Sequence, residues 1–108
     1  MIYEIRYTDI AKEDILSIIR YIRVDLLDPI AAANQYHSIQ SAIDKLDEFP
    51  HRHRLYEKQP WKKRGLRIMP VDNYLVCYIP YDDISILRVV RVVYGRRNLD
   101  RILKETEY

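Results

Sequence analysis

Cysteine is almost absent from this chain. Cys77 is the one residue of its kind among 108, so no disulfide can close within the chain and no cysteine-based zinc set exists. Glycine occurs twice and proline five times, too rarely for a collagenous or low-complexity chain. Long apolar runs are missing as well, and nothing approaches the roughly 20 residues that carry a helix across a bilayer. Glu4 and Arg6 interrupt the opening residues, so a cleavable secretory leader is not expected. These absences point to a reducing compartment, the cytoplasm; no metal or cofactor is expected.

What is present is globular. Hydrophobic residues make up 48% of the chain, and the length suits a single domain over residues 1–108 with one substantial core. The formal net charge of +2 hides an asymmetry. Residues 1–50 hold five Lys/Arg against nine Asp/Glu, a balance of −4; residues 51–108 hold thirteen against seven, a balance of +6. A chain divided this way predicts a polarised surface whose basic side meets a polyanion or an acidic protein.

Ile2 to Tyr7 alternates apolar and polar residues, which predicts a first strand. Thr8-Asp9 supplies an N-cap, after which Ile15, Ile18, Ile19, Ile22 and Leu26 follow helical spacing. Asp28-Pro29 ends this helix and starts another, because proline at the first helical position has no N–H to waste. Ala32, Tyr36, Ile39, Ile43 and Leu46 mark its buried stripe, and Phe49-Pro50 closes it. So short a link makes the pair an antiparallel αα-hairpin. His51 to Arg64 is irregular and strongly basic. Leu66–Val71, Tyr74–Ile79 and Ile84–Tyr94 then read as three strands, separated by turns at Asp72-Asn73 and Asp82-Asp83. Leu99, Ile102 and Leu103 give a short terminal helix. The order βααβββα predicts an α+β domain, with the N-terminal strand and helical hairpin packed on a mainly antiparallel four-stranded sheet.

Some side chains have a bland reading. Tyr74, Tyr78 and Tyr94 suit sheet packing, Cys77 suits a small buried hydrophobe, and His37 suits a solvated helix face. Arg88 and Arg91 stand at odd spacing, which places them on opposite faces of a regular strand. One of them is then expected at an edge with a carboxylate partner.

Read together, several pieces resemble the RelE/ParE superfamily of toxins from bacterial type II toxin–antitoxin modules, ParE-like members more than RelE-like ones. The pieces are Tyr7-Thr8 with Ala11, Ile18 to Ile22, Asp28-Pro29 with Ala31 to Ala33, and Leu46 with Phe49-Pro50. They continue with Gly65-Leu66-Arg67, Pro70-Val71, Asn73-Tyr74, Tyr78, Arg91-Val92 and Tyr94-Gly95-Arg96-Arg97. The resemblance implies a growth inhibitor held in check by a cognate antitoxin, in a plasmid-stabilisation or addiction role, with a toxin dimer or toxin–antitoxin hetero-oligomer as its assembly. ParE-like members poison DNA gyrase; RelE-like members are ribosome-dependent mRNA endonucleases (mRNA interferases). A third outcome is a non-toxic remnant that only binds antitoxin. Whether the chain is an enzyme stays open, leaning to no.

A nuclease of this kind needs an acid, a base and cations on the phosphate. Arg97 is similar in position to a phosphate-binding arginine of RelE-like nucleases, and Arg67 is placed to join it, since planar guanidinium groups grip phosphate oxygens. Two lysines, an arginine and a tyrosine that RelE-like sites carry are here Leu66, Ile68, Leu75 and Leu103. Some relatives use histidines near the end of the second helix, where this chain has His51 and His53. Arg54, Lys62, Lys63, Arg64 and Arg96 are candidate contacts to the target or to nucleic acid, with Trp61 able to stack on a base. The commoner role for His51, His53 and Trp61 in a basic loop is plain solvated surface.

Overall fold

The computed structural model describes residues 2–96 and 98–108. A strand β1 (Glu4–Tyr7) leads into α1 (Asp9–Arg20), whose first turn is capped by Thr8, its hydroxyl accepting from the Ala11 N–H. The chain then loosens into one wider π turn over Tyr21–Asp25. Asp28 caps α2 (Pro29–Asp44) by accepting from the Ala31 N–H, with Pro29 in the first turn. A tight turn (Lys45–Asp47) ends this helix. The basic segment contains a short helix α3 (Trp61–Arg64), absent from the periodicity, which stops at Gly65 in a left-handed conformation (φ 85°). Strands β2 (Arg67–Val71), β3 (Tyr74–Tyr81) and β4 (Ile86–Tyr94) form a meander, and α4 (Leu99–Glu105) follows.

The sheet order is β1-β4-β3-β2, with β1 parallel to β4 and the other pairs antiparallel. This is the expected α+β arrangement of strand, helical hairpin, four-stranded sheet and short terminal helix. Burial explains the order. β3 is apolar from Tyr74 to Ile79 because both of its faces are covered, so a central place follows. On one face Tyr74, Val76, Tyr78, Leu87 and Val89 meet Ala11, Ile15, Ile39, Ile43 and Leu46 of the helical hairpin. On the other, Leu66, Ile68, Leu75, Cys77, Val90 and Val93 meet Tyr56, Trp61, Leu99 and Leu103. Asp72, at the β2–β3 turn with φ 54°, ties the sheet to α2 by accepting from Gln35 and Ser38.

Four expectations from spacing fail here for identifiable reasons. Arg88 and Arg91 lie on the same face, because the register slips between Cys77 and Tyr78 and leaves Val90 as an extra residue in β4. A bulge of one residue resets the alternation. Arg88 therefore pairs across from Ile79, and Arg91 from Cys77. Tyr94 is exposed rather than packed in the core, although its ring meets Tyr74 edge-on at 5.4 Å. Leu26 and Tyr36 are exposed as well; Leu26 sits beyond the π turn, where the helical stripe has already lost its phase. Arg91 does have its carboxylate. Its Nε and Nη2 donate to Asp14 on α1, which also accepts the Val92 N–H, so one carboxylate closes the edge of β4 beyond the end of β1.

Candidate functional site

The structure brings three of the predicted site residues, Arg67, His51 and His53, side by side. Arg67 makes no ion pair with an acid among the described residues. Its Nη1 donates to the backbone carbonyls of His51 (3.2 Å) and His53 (2.7 Å), which pins the 51–53 segment to β2. Arg97 lies outside the described residues. The strand before it ends at Tyr94, opposite Tyr74, whereas Arg67 sits opposite Tyr78. Four residues of β3, about 13 Å of strand, separate those two registers. Arg67 and the end of β4 thus stand at different heights along the sheet.

Trp61 overturns both of its readings. It is 4% exposed, and its indole N–H donates to the Leu103 carbonyl at 3.0 Å. The ring is a core residue of the second face, with the Arg64 guanidinium 4.5 Å from its centre, so no face is left to stack on a base. Arg64 is occupied in the same way, donating from Nη2 to the backbone oxygen of Tyr108 at 2.6 Å. Arg54, Lys62, Lys63 and Arg96 are different. Lys62 and Lys63 project from α3, Arg54 from the loop beside β2 and Arg96 from beyond β4, all exposed. Their side chains make no ion pair with the described residues.

His51 and His53 part company. His51 Nε2 stands 2.8 Å from Asp82 Oδ1, and the same oxygen accepts from the Tyr3 hydroxyl at 2.7 Å. The Asp82 carboxyl is held below its ordinary range, chiefly by the Tyr3 hydrogen bond, then by His51 and the Arg67 charge. Tyr3 is correspondingly raised. A histidine oriented by a carboxylate, beside a phenol, is a combination that can pass protons. His53 instead packs edge-on against Tyr78 at 6.4 Å, and burial lowers its pKa, with the Arg52 charge adding to the effect. It is a loop anchor, alongside the Tyr78 hydroxyl that donates to the Pro50 carbonyl at 2.7 Å. Burial comes first in pushing that hydroxyl up to about 12. Asp82 and Tyr3 were not legible as partners of His51, because 31 and 48 residues of chain separate them from it.

A second surface lies at the end of the helical hairpin. Tyr21, Val24, Leu26, Leu27 and Ile30 are all exposed within one link, Leu27 at 82% and Ile30 at 74%. Leu27 also holds φ at 53°, a left-handed conformation that costs a leucine about 1 kcal/mol or more. Strain and exposed apolar area at the same residues mark a surface shaped for contact rather than for stability. The patch continues toward the sheet. Tyr74 is raised first by burial, then by Tyr94 and Tyr21, and its ring meets that of Tyr94 edge-on. A sequence signal exists, since Tyr21, Val24 and Ile30 are apolar yet fall outside the buried stripes.

Among the described residues no group of three or more His, Cys, Asp or Glu could hold a metal ion, and no helix is long and apolar enough to cross a membrane. A family model described as the ParE toxin of the type II toxin–antitoxin system parDE matches residues 5–99. No curated protein matches the chain. Among solved structures it is similar to the chromosomal ParDE system from P. aeruginosa, at 15% identity and TM-score 0.73, over 88% of this chain and 98% of that one. It is also similar to the RelBE2 toxin–antitoxin complex from Mycobacterium tuberculosis, at 19% identity and TM-score 0.61, over 87% and 99%. The intact E. coli RelBE complex shares 12% identity and TM-score 0.57, over 88% and 99%. At these identities the likeness is one of fold.

Proposed function

The chain belongs to the ParE toxin family of type II toxin–antitoxin systems, and from that premise we propose that it arrests growth by binding DNA gyrase. On this reading it performs no chemistry of its own, acts in the cytoplasm, and is neutralised by a cognate antitoxin. One observation carries the choice against RNA cleavage. Leu66, Ile68, Leu75 and Leu103 stand where RelE-like nucleases place catalytic side chains, and here they are 0%, 1%, 4% and 1% exposed. They pack against one another in the second core with α4 over them. A face filled by apolar packing holds neither a proton donor nor a phosphate clamp. The antitoxin's seat is the apolar end of the hairpin, where Leu27 and Ile30 offer area that only a partner can bury.

The ribosome-dependent endonuclease remains a second reading, favoured by the His51–Asp82–Tyr3 cluster. Expression without antitoxin separates the two. Gyrase poisoning predicts filamentous cells, stalled replication and intact mRNA, with His51→Ala as toxic as the wild type. Cleaved mRNA with immediate loss of translation, abolished by His51→Ala, would transfer the conclusion to the nuclease. Normal growth would leave only an antitoxin-binding remnant.

A further inference from the structure

Between the 56–61 segment and α4 lies an open groove of about 560 Å³. Its floor is apolar and aromatic, made by Tyr56, Pro60, Trp61 and Leu103, and its rim carries Lys58, Arg64, Arg101 and Lys104. Asp100 is the lone acid of the lining, and its carboxylate is already taken. Oδ1 accepts from the Tyr56 hydroxyl at 2.5 Å, and Oδ2 pairs with Lys58. Those contacts hold the Asp100 carboxyl below its ordinary range, Lys58 first and Tyr56 second. Lys58 is thereby neutralised, and Arg64 is turned toward Trp61 and Tyr108. Arg101 and Lys104, one turn apart on α4, remain exposed with no acid partner among the described residues.

We propose that this groove takes an acidic peptide segment bearing a bulky apolar side chain, supplied by the target that the toxin disables. The proposal rests on the reading of the chain as a growth inhibitor. Charge complementarity selects the acidic partner, since unpaired cations on a concave rim both steer and orient an anion. The floor selects a peptide over nucleic acid. An apolar side chain can lie along the exposed Pro60, whereas base stacking requires an open aromatic face, and Arg64 already covers that of Trp61. The target is favoured over the antitoxin because the molecule has two unlike surfaces and the apolar one is already the antitoxin's proposed seat. The hairpin end is apolar and charge-balanced, with Arg20 and Arg23 against Asp25 and Asp28; the groove is cationic and backs the other face of the sheet.

The double variant Arg101→Glu/Lys104→Glu tests this, because both side chains are exposed and unpaired and the fold should melt as the wild type does. A labelled peptide of alternating Glu and Leu should bind the wild-type chain, more weakly as salt rises, and should bind the variant on the order of tenfold more weakly. In cells lacking antitoxin the variant should no longer arrest growth, while still co-purifying with antitoxin. Arrest equal to wild type would overturn the proposal. So would lost antitoxin capture with arrest retained, or a labelled oligonucleotide bound in place of the peptide. A wild-type chain that causes no arrest would defeat the growth-inhibitor reading instead, and the peptide measurement would still decide the groove.

Discussion

The two faces of the sheet are held by different means. The hairpin face is covered by two long helices whose buried residues are almost purely aliphatic, with Ala11, Ile39, Ile43 and Leu46 at or below 2% exposure. The other face is covered by seven residues of α4 and an irregular loop, fastened by discrete polar links. These are Trp61 to the Leu103 carbonyl, Tyr56 and Lys58 to Asp100, Arg64 to Tyr108, and Arg91 to Thr106. Apolar burial is spread over many contacts and fails as a unit, whereas a short helix held by hydrogen bonds can open alone. The hairpin face is thus the cooperative core, and the α4 face, where the groove lies, is the part free to adjust to a partner.

The comparison breaks most visibly at Trp61. Trp61→Ala should remove about 3–5 kcal/mol, with α4 released before the sheet melts, read as loss of hydrogen-exchange protection in 99–105 ahead of β3. Asp14→Ala should cost about 3 kcal/mol or more, because it strands the Arg91 guanidinium, half-buried at 20% exposure, together with the Val92 N–H. Its effect should appear as a lower melting temperature of the whole domain, since Asp14 joins α1 to β4. Cys77 sharpens the contrast. Its thiol lies in the second core, and burial pushes it up to about 12, so native labelling should be very slow. Trp61→Phe, which keeps most of the ring and removes the N–H bond, should cost about 1 kcal/mol and speed Cys77 labelling several-fold. On the hairpin side, Gln40→Leu, which removes the bonds that Gln40 Nε2 donates to the Tyr7 hydroxyl and the Asp44 carboxylate, should leave that labelling rate unchanged.

Leu27→Gly runs the other way. Relief of the left-handed strain should stabilise the fold by about 0.5–1 kcal/mol while weakening antitoxin capture, a stability gain paired with a binding loss. The smallest effect belongs to Asp82. Its folded pKa lies below the unfolded value, so its contribution is present above the ordinary carboxylate range and is lost as pH falls through that range. Asp82→Asn should therefore flatten the acid limb of stability against pH and change little near neutrality.

Much of this architecture was legible because alternation and helical periodicity report burial directly. β1, the capped helices at Thr8 and Asp28, the β2–β3 turn at Asp72 and the central place of β3 all follow from local pattern. What escaped depended on distant partners or on one-residue irregularities. The Val90 bulge puts Arg88 and Arg91 on one face, and no spacing rule anticipates an extra residue. Trp61 reads as exposed in a run of lysines, yet Leu103, 42 residues later, closes over it. His51 reads as an isolated loop histidine until Asp82 and Tyr3 fold beside it. The Arg67 guanidinium suits a phosphate contact by its chemistry, but backbone carbonyls of a neighbouring loop use it equally well.

On the proposed gyrase reading, the chain acts by binding and not by cutting. The most direct test of this is to add the purified chain to DNA gyrase and relaxed plasmid, and to translating ribosomes in parallel. Gyrase binding predicts blocked supercoiling or accumulated gyrase–DNA cleavage complexes, reversed by antitoxin, with ribosome-bound mRNA left whole. Unimpaired supercoiling together with mRNA cut on the ribosome would contradict it.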